Sequence, residues 1–499
     1  MKGCIFLHRR FTALGHNIVL RLKEKYGVEE FCAYVSQRAS YNFLKSQKDI
    51  KYTGLILDEE IHKSYVNEKL DMNYLRELEK EYGLPNLWAF VAIDRVLMYN
   101  QPVREYPYNT PPYTHEELLR ILQVKARAII AFLEKEKPDF LLVSQALGGI
   151  GSLLLYHVAK KMGIKTWSIN MTSLKNTYVL SNHYIHLTTV KEKFKNNLAS
   201  GIKNEPYYTL AKNLIESFKK NPEPYYGKLK PSEQPVSRTA QFRFLIPANF
   251  LKSIYFFLKI IYRHFTDEER FDYSYITPWN YIRDHAKRKI RNFIGANNLY
   301  DKIDFKENFA FFPLQYEPEI SLLLWAPFKT NQLETIRQIA KSLPIDYKLY
   351  VKEHPLMVQY RPRSYYKEIK KIPNVKLINP SVTSFELLPH TKLVITITGS
   401  LGLEATFMKK PVITLGDLWF NYLSFIKYCP TMETLPYVIK EQLENFGYDE
   451  NELFEFVAAI LEESVNIDYV HLWEEEPDSE KIKAGMAPLA DLLAKKLGL

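Results

Sequence analysis

YKLYVKEHP (347–355), NVKLINPSVTSFELLPH (374–390) and KLVITITGSLGLEATFMKKPVITLGD (392–417) decide the fold of this chain. Three short β-branched runs, at 347–352, 375–378 and 393–398, are separated by loops and helical patterns. That alternation predicts parallel strands joined by crossover helices. The third run ends in Thr398-Gly399-Ser400, and the pattern then turns helical. Gly399 permits a tight turn, and Ser400 can stand at a helix N-terminus, where free backbone N–H groups attract anions. Glu404 lies one helical turn further on, on the same face. A hydroxyl near phosphates and a carboxylate that can accept from a ribose diol suit a nucleotide. A plain helix cap with a solvated Glu404 is the other reading. His354-Pro355 falls just beyond the first strand, at the carboxyl edge of the same sheet, where open α/β sheets bind ligands. Lys352 adds a positive charge two residues earlier, or is a strand residue with a solvated head. Lys410-Pro411 closes the helix before a strand at 412–415.

These segments resemble the capsule polysaccharide biosynthesis glycosyltransferases, a family related to bacterial Kdo transferases. The resemblance rests on VKEHP, LINP…ELL, Thr-Gly-Ser-x-Gly-x-Glu-Ala and Lys-Pro-Val-Ile-Thr-Leu-Gly, and covers roughly residues 308–425. It extends to FFPLQYEPE (311–319), where Gln315 stands for a commoner His and Glu317 for a commoner Gln. A weaker echo lies at 74–95. The resemblance implies a GT-B fold: α/β, two Rossmann-like domains facing across a cleft, here with a helical basic insertion between them. It also implies that His354 contacts a donor phosphate while Pro355 fixes the loop. Thr398, Gly399 and Ser400 would then form the phosphate turn, with Glu404 on the ribose.

The chain has 499 residues, too many for one core, and two domains are expected. Hydrophobic residues make up 46% and charged residues 25%, a globular balance. Three widely spaced cysteines, Cys4, Cys32 and Cys429, argue against a disulfide framework or a zinc site. A formal net charge of +10 suits an anionic partner. No nucleic-acid-binding signature appears, which leaves anionic sugar nucleotides and an anionic membrane surface. No apolar run approaches the roughly 20 residues of a membrane span. MKGCIFLHRRF reads as a first strand rather than a signal peptide, so a cytoplasmic protein, peripheral on the inner face of the cell membrane, is expected.

Strands are expected at 3–8, 31–35, 53–57, 138–144 and 165–169, with helical patterns between them. His8-Arg9-Arg10 follows the first strand, as a basic loop that meets an anionic acceptor or is merely solvated. Gly148, Gly149 and Gly151 follow the strand at 138–144 and resemble a phosphate-binding turn, but their spacing is not GxGxxG and they are read as close strand-to-helix packing at the cleft rim. Residues 185–300 are helical, basic and aromatic, and 251–300 hold nine Lys or Arg against five Asp or Glu. A helix over 251–265 would gather Ile254, Phe257, Leu258, Ile261 and Phe265 on one face, opposite Lys252, Lys259 and Arg263. Buried core helices and membrane-surface helices both carry such a stripe. The expected domains are an acceptor domain at 1–184, the helical region at 185–305, a nucleotide-sugar domain at 306–432 and C-terminal helices at 433–499.

A glycosyltransferase is the expected activity. It would move a sugar, Kdo or a related acidic one, from a CMP- or UDP-linked donor to a polysaccharide or glycolipid acceptor. No Asp-x-Asp triplet or metal-ligand cluster is present, so neither metal nor cofactor is expected. The catalytic carboxylate should come from the first domain, with Asp94, Glu79 and Glu81 as candidates that spacing does not separate. The acidic residue expected near Gln145 from the Kdo transferases is absent. Two competing readings are an epimerase using Glu317 and Glu319 as acid and base, and a non-enzymatic membrane-surface component of polysaccharide assembly.

Overall fold

The computed structural model describes every residue except 10, 84–85, 101–109, 145–146, 202, 204 and 225–239. Arg10 and Gln145 lie outside the described residues.

Two sheets organise the chain. The first begins with β1 (Lys2–Leu7), β2 (Glu30–Val35), β3 (Tyr52–Leu57), β4 (Phe140–Ser144), β5 (Lys165–Met171) and β6 (Thr177–Ser181). The second is built from β7 (Asn308–Pro313), β8 (Tyr347–Lys352), β9 (Val375–Ile378), β10 (Leu393–Thr396), β11 (Val412–Thr414) and β12 (Ile426–Tyr428). A last strand, β13 (Ser464–Asn466), joins the first sheet, whose order is β13-β6-β5-β4-β1-β2-β3. The second runs β12-β11-β10-β7-β8-β9, parallel throughout. In the first sheet β1 to β5 are parallel, β6 runs antiparallel to β5, and β13 runs antiparallel to β6.

Both sheets are Rossmann-like, with the chain leaving the middle in one direction and then returning to build outward in the other. Each therefore has a topological switch point, between β1 and β4 and between β7 and β10, where ligands bind such sheets. The central strands are near-continuous apolar runs, FCAYV in β2 and FAFF in β7, because helices cover both faces of a parallel sheet.

The chain forms two compact units. Among the described residues, one comprises Met1–Asn100, Thr110–Ala211 and Phe454–Leu499, and the other lies within Lys212–Leu453. Residues 433–499 were expected to be helical, with a tail that could cross back to the first domain. The stretch also holds β13, which pairs with β6, and the Ser479–Leu497 helix, whose Leu489, Ala490 and Leu493 share a core with Leu14, Ile18 and Leu22. Three-residue strands such as β12 and β13 carry too little alternation to be read from sequence.

Between β6 and β7 the described residues form helices, among them Thr188–Ser200, Glu205–Lys220, Pro247–Thr266 and Pro278–Ile294. Pro at the first turn starts the last two, where its missing N–H is harmless. None of the residues of Pro247–Thr266 is buried, which removes the core-helix reading of 251–265.

Candidate functional site

The carboxyl edge of the second sheet gathers the motif residues around its switch point. Gln315, just past β7, spans to the end of β10. Its Nε2 donates to Thr396 Oγ1 at 3.3 Å and to the Pro313 carbonyl at 3.2 Å, and its Oε1 accepts from Thr398 Oγ1 at 3.3 Å. Thr396 Oγ1 also accepts from the Gly399 N–H at 3.0 Å. That bond folds the chain over early, so β10 stops at Thr396 instead of running to Thr398 as the pattern predicted.

Gly399 is required by close approach. A Cβ there would stand 2.8 Å from Thr396 Oγ1 and 3.1 Å from Gln315 Nε2. Ser400 is the N-cap residue of the Leu401–Phe407 helix, yet its side chain makes no capping bond. Glu404 is buried, contrary to the solvated-helix alternative.

Lys352 closes β8, and its carbonyl accepts from the Leu314 N–H at 2.8 Å, fastening the β7 loop beside it. The Lys352 side chain is 5% exposed and makes no ion pair or hydrogen bond among the described residues. Burial pushes its ammonium down to about 8, against weak support from Glu353 and Glu386. Two residues on, His354 Nδ1 accepts from the Leu356 N–H at 3.2 Å. In the neutral ring this leaves the proton on Nε2, which becomes the donor. Pro355 occupies the first position of the following 3-10 turn and fixes its φ.

A buried lattice holds these loops. The Arg361 guanidinium ion-pairs with Glu353 and, at 3.2 Å, with Glu317, and donates to the Gln315 carbonyl at 2.8 Å. Glu353 also accepts from the His354 N–H at 2.7 Å and from Tyr366 Oη at 2.8 Å. Gln332 braces the same loop from the Gln332–Ser342 helix, accepting from the Gln315 N–H at 2.5 Å. Glu317, which the epimerase reading needs as an acid or base, is thus committed to Arg361 and Gln332. Sequence reasoning missed Gln315, Thr396, Gln332, Glu353 and Arg361 as parts of this network. Only the departure at Gln315 marked it.

The first sheet's carboxyl edge is also polar but is closed on itself. His8 Nε2 and Ser144 Oγ lie 2.7 Å apart across the β1–β4 switch point. Burial, reinforced by the positive charge of Arg9, pushes the His8 ring down to about 4, so the ring is neutral and the basic character of this loop rests on its arginines. Asp58, following β3, accepts from Tyr34 Oη and from Lys125 Nζ, at 2.7 and 2.6 Å for its two oxygens. Gly151 packs so tightly on this group that a Cβ would fall 2.5 Å from Asp58 Oδ1. Gly151 therefore serves close packing.

The three candidate carboxylates are not brought together. Asp94 is buried and caps the Arg95–Tyr99 helix, its Oδ1 accepting from Val96 and Leu97 N–H at 3.1 and 3.2 Å. Among the described residues its Oδ2 accepts only from the Ile150 N–H, at 3.4 Å. Burial raises the Asp94 carboxyl, opposed by nearby Lys125. Glu79 accepts from the Leu87 N–H at 3.0 Å and so closes a loop, and Glu81 is exposed on the same Met72–Tyr82 helix.

Among the described residues there is no group of three or more His, Cys, Asp or Glu that could hold a metal ion, and no helix is long and apolar enough to cross a membrane.

Residues 233–424 match the family model described as "Capsule polysaccharide biosynthesis protein". Protein FixF of Sinorhizobium fredii (strain NBRC 101917 / NGR234) is 30% identical over 130 residues, which are 26% of this chain and 31% of that protein. The match thus spans under a third of that relative's length. Solved structures with a loose likeness include the beta Kdo 2,7 transferase KpsC of Thermosulfurimonas dismutans, at 12% identity and a TM-score of 0.36 over 73% of this chain and 89% of that one. UDP-GlcNAc 2-epimerase of Neisseria meningitidis, bound to UDP-GlcNAc, gives 12% and 0.28 over 100% and 99%. The residues that match this family model carry β7 to β11 and the turn at Gly399.

Proposed function

We propose that the chain is a glycosyltransferase of capsule assembly, binding a nucleotide-sugar donor at the carboxyl edge of its second sheet. The observation that carries this reading is Lys352, a buried lysine whose ammonium makes no ion pair or hydrogen bond among the described residues, with Glu353 and Glu386 acting on it only through space. An uncompensated buried charge is unfavourable, and a phosphate would supply the missing anion. The His354 Nε2–H and the Ser400 hydroxyl, which its own helix does not use, add donors for the same phosphates. Thr398 and Gly399 shape the turn and Glu404 takes the ribose. Charge on the leaving phosphate is then met by side chains rather than by a metal.

In this proposal the donor is a CMP- or UDP-linked sugar, Kdo or another acidic sugar, and the acceptor a polysaccharide or glycolipid handled at the inner face of the cell membrane. Asp94 is the carboxylate with the environment of a general base, raised by burial and with a lightly engaged Oδ2. Glu79 is occupied structurally and Glu81 is solvated, so neither is retained in that role.

A melting-temperature panel with CMP, UDP and other nucleotides, each with EDTA and with magnesium, tests the reading. A ligand at 100 times its Kd stabilises by about 2.7 kcal/mol, a readily measured shift. CMP or UDP should shift melting in EDTA. No shift with any nucleotide at millimolar concentration would remove the donor site, and a shift confined to magnesium would remove its metal independence.

A further inference from the structure

The Pro247–Thr266 helix carries large apolar side chains that the fold leaves in water. Leu251, Ile254, Tyr255, Leu258, Tyr262 and Phe265 fall within one arc of about 100° on the helical wheel. All six are exposed, Tyr255 and Tyr262 at 69% and Phe265 at 64%. Phe257, Ile260, Ile261 and His264, on the next part of the wheel, are half-buried. The helix packs on the Pro278–Ile294 helix and the Ala240–Leu245 turn, so it is covered on one side only. On the other flank of the apolar arc stand Lys252, Lys259 and Arg263, which make no ion pair among the described residues. The 20-residue helix contains no Asp or Glu at all. Pro278–Ile294 continues the pattern, with exposed Trp279, Ile290, Phe293 and Ile294.

We propose that this helix pair docks on the surface of an anionic lipid bilayer. An apolar arc bordered by a cationic row is the arrangement of a helix lying in the plane of a membrane interface. Its rings enter the headgroup boundary and its cations meet lipid phosphates. The uniform positive sign selects lipid over a second copy of the chain, because like faces would bring cation rows together. The bordering charges and the length set the helix on the bilayer rather than across it. The inference is independent of the donor-site reading, since none of that site's residues lies on these helices.

Sedimentation with phosphatidylcholine vesicles, with and without phosphatidylglycerol, at low and high salt, tests it. The full chain should co-sediment with the anionic vesicles at low salt and be released by high salt. Each cation near an anionic surface strengthens binding about fivefold, so Lys252→Glu with Lys259→Glu and Arg263→Glu should weaken it by more than about 100-fold. Leu258→Ser with Tyr262→Ser and Phe265→Ser should abolish it while melting temperature and nucleotide response stay at wild-type values. Failure of the wild type to bind anionic vesicles at low salt would overturn the proposal. So would charge-reversed protein that binds as tightly as wild type. Self-association of the free protein that the serine variant abolishes would make a second copy the occupant instead.

Discussion

Lys125 and Lys352 are both buried lysines at the carboxyl edge of a Rossmann-like sheet, and they differ in what stands opposite them. Lys125 projects from the His115–Glu136 helix and is met by both oxygens of Asp58, itself bonded to Tyr34. Lys352 ends a strand and meets no carboxylate at bonding distance among the described residues. The same residue type is thus a closed structural element in one sheet and an open cation in the other. A buried ammonium is relieved by a partner or by losing its proton, and a bound phosphate would be such a partner for Lys352. Both switch points are bridged, the first by His8 and Ser144 and the second by Gln315, and the second also carries a turn whose Ser400 side chain makes no capping bond.

Breaking the closed pair should have the largest effect. Lys125→Met leaves Asp58 buried without its cation and should cost about 3–5 kcal/mol of unfolding free energy. Denaturant titration measures it, and adding Asp58→Leu should recover most of the loss. A single variant as stable as wild type would erase the distinction between the two lysines.

Lys352→Met should do the opposite. It removes a charge that burial disfavours, so stability should hold or rise while nucleotide binding falls roughly tenfold to a hundredfold. Titration sharpens this, because the folded amine sits at about 8 against an ordinary 10.5. Burial therefore opposes folding fully below about 8 and progressively less between 8 and 10.5, so this group's contribution to stability rises with pH across that window. Anion binding needs the ammonium, and nucleotide affinity should decline as pH passes about 8, measured by calorimetry. A flat affinity profile in the wild type, or a profile unchanged in Lys352→Met, would deny Lys352 contact with the ligand.

The smallest effect is expected where charge is paired but wet. Asp491 on the C-terminal helix accepts from Arg21 at 3.1 Å, Lys25 at 3.1 Å and Tyr26 at 3.0 Å, and these partners hold its carboxyl at about 2. The group is about a third exposed, and Asp491→Asn should cost under about 1 kcal/mol at neutral pH. The depressed pKa means that this contribution is complete above 3.8 and lost as pH falls through about 2. Acid unfolding of the variant should be correspondingly shallower than that of wild type.

Much of the second sheet was legible because its signals are local. VKEHP puts His354 two residues beyond a strand, and Thr-Gly-Ser marks a strand-to-helix turn, whatever lies elsewhere in the chain. The bracing of those loops was not legible. Gln315 and Thr396 are 81 residues apart and Arg361 reaches the Gln315 carbonyl across 46, so no spacing announces either contact. Asp94, Glu79 and Glu81 looked equivalent in sequence, and only their hydrogen bonds and burial separated them.

By itself, the sequence determined two α/β units, the turn at Gly399, the basic helical stretch between the sheets, and the stripe on residues 251–265. Hydrophobic period and turn chemistry are properties of neighbouring residues, and they survive any packing. The tertiary structure alone decided which lysine is paired, since Asp58 and Lys125 lie 67 residues apart. It also decided that the last residues return to the first sheet, with Asp491 meeting Arg21 across 470 residues, and which side of the apolar stripe stays in water. Pairing and burial depend on which distant segments fill the space around a side chain, and periodicity carries no information about them.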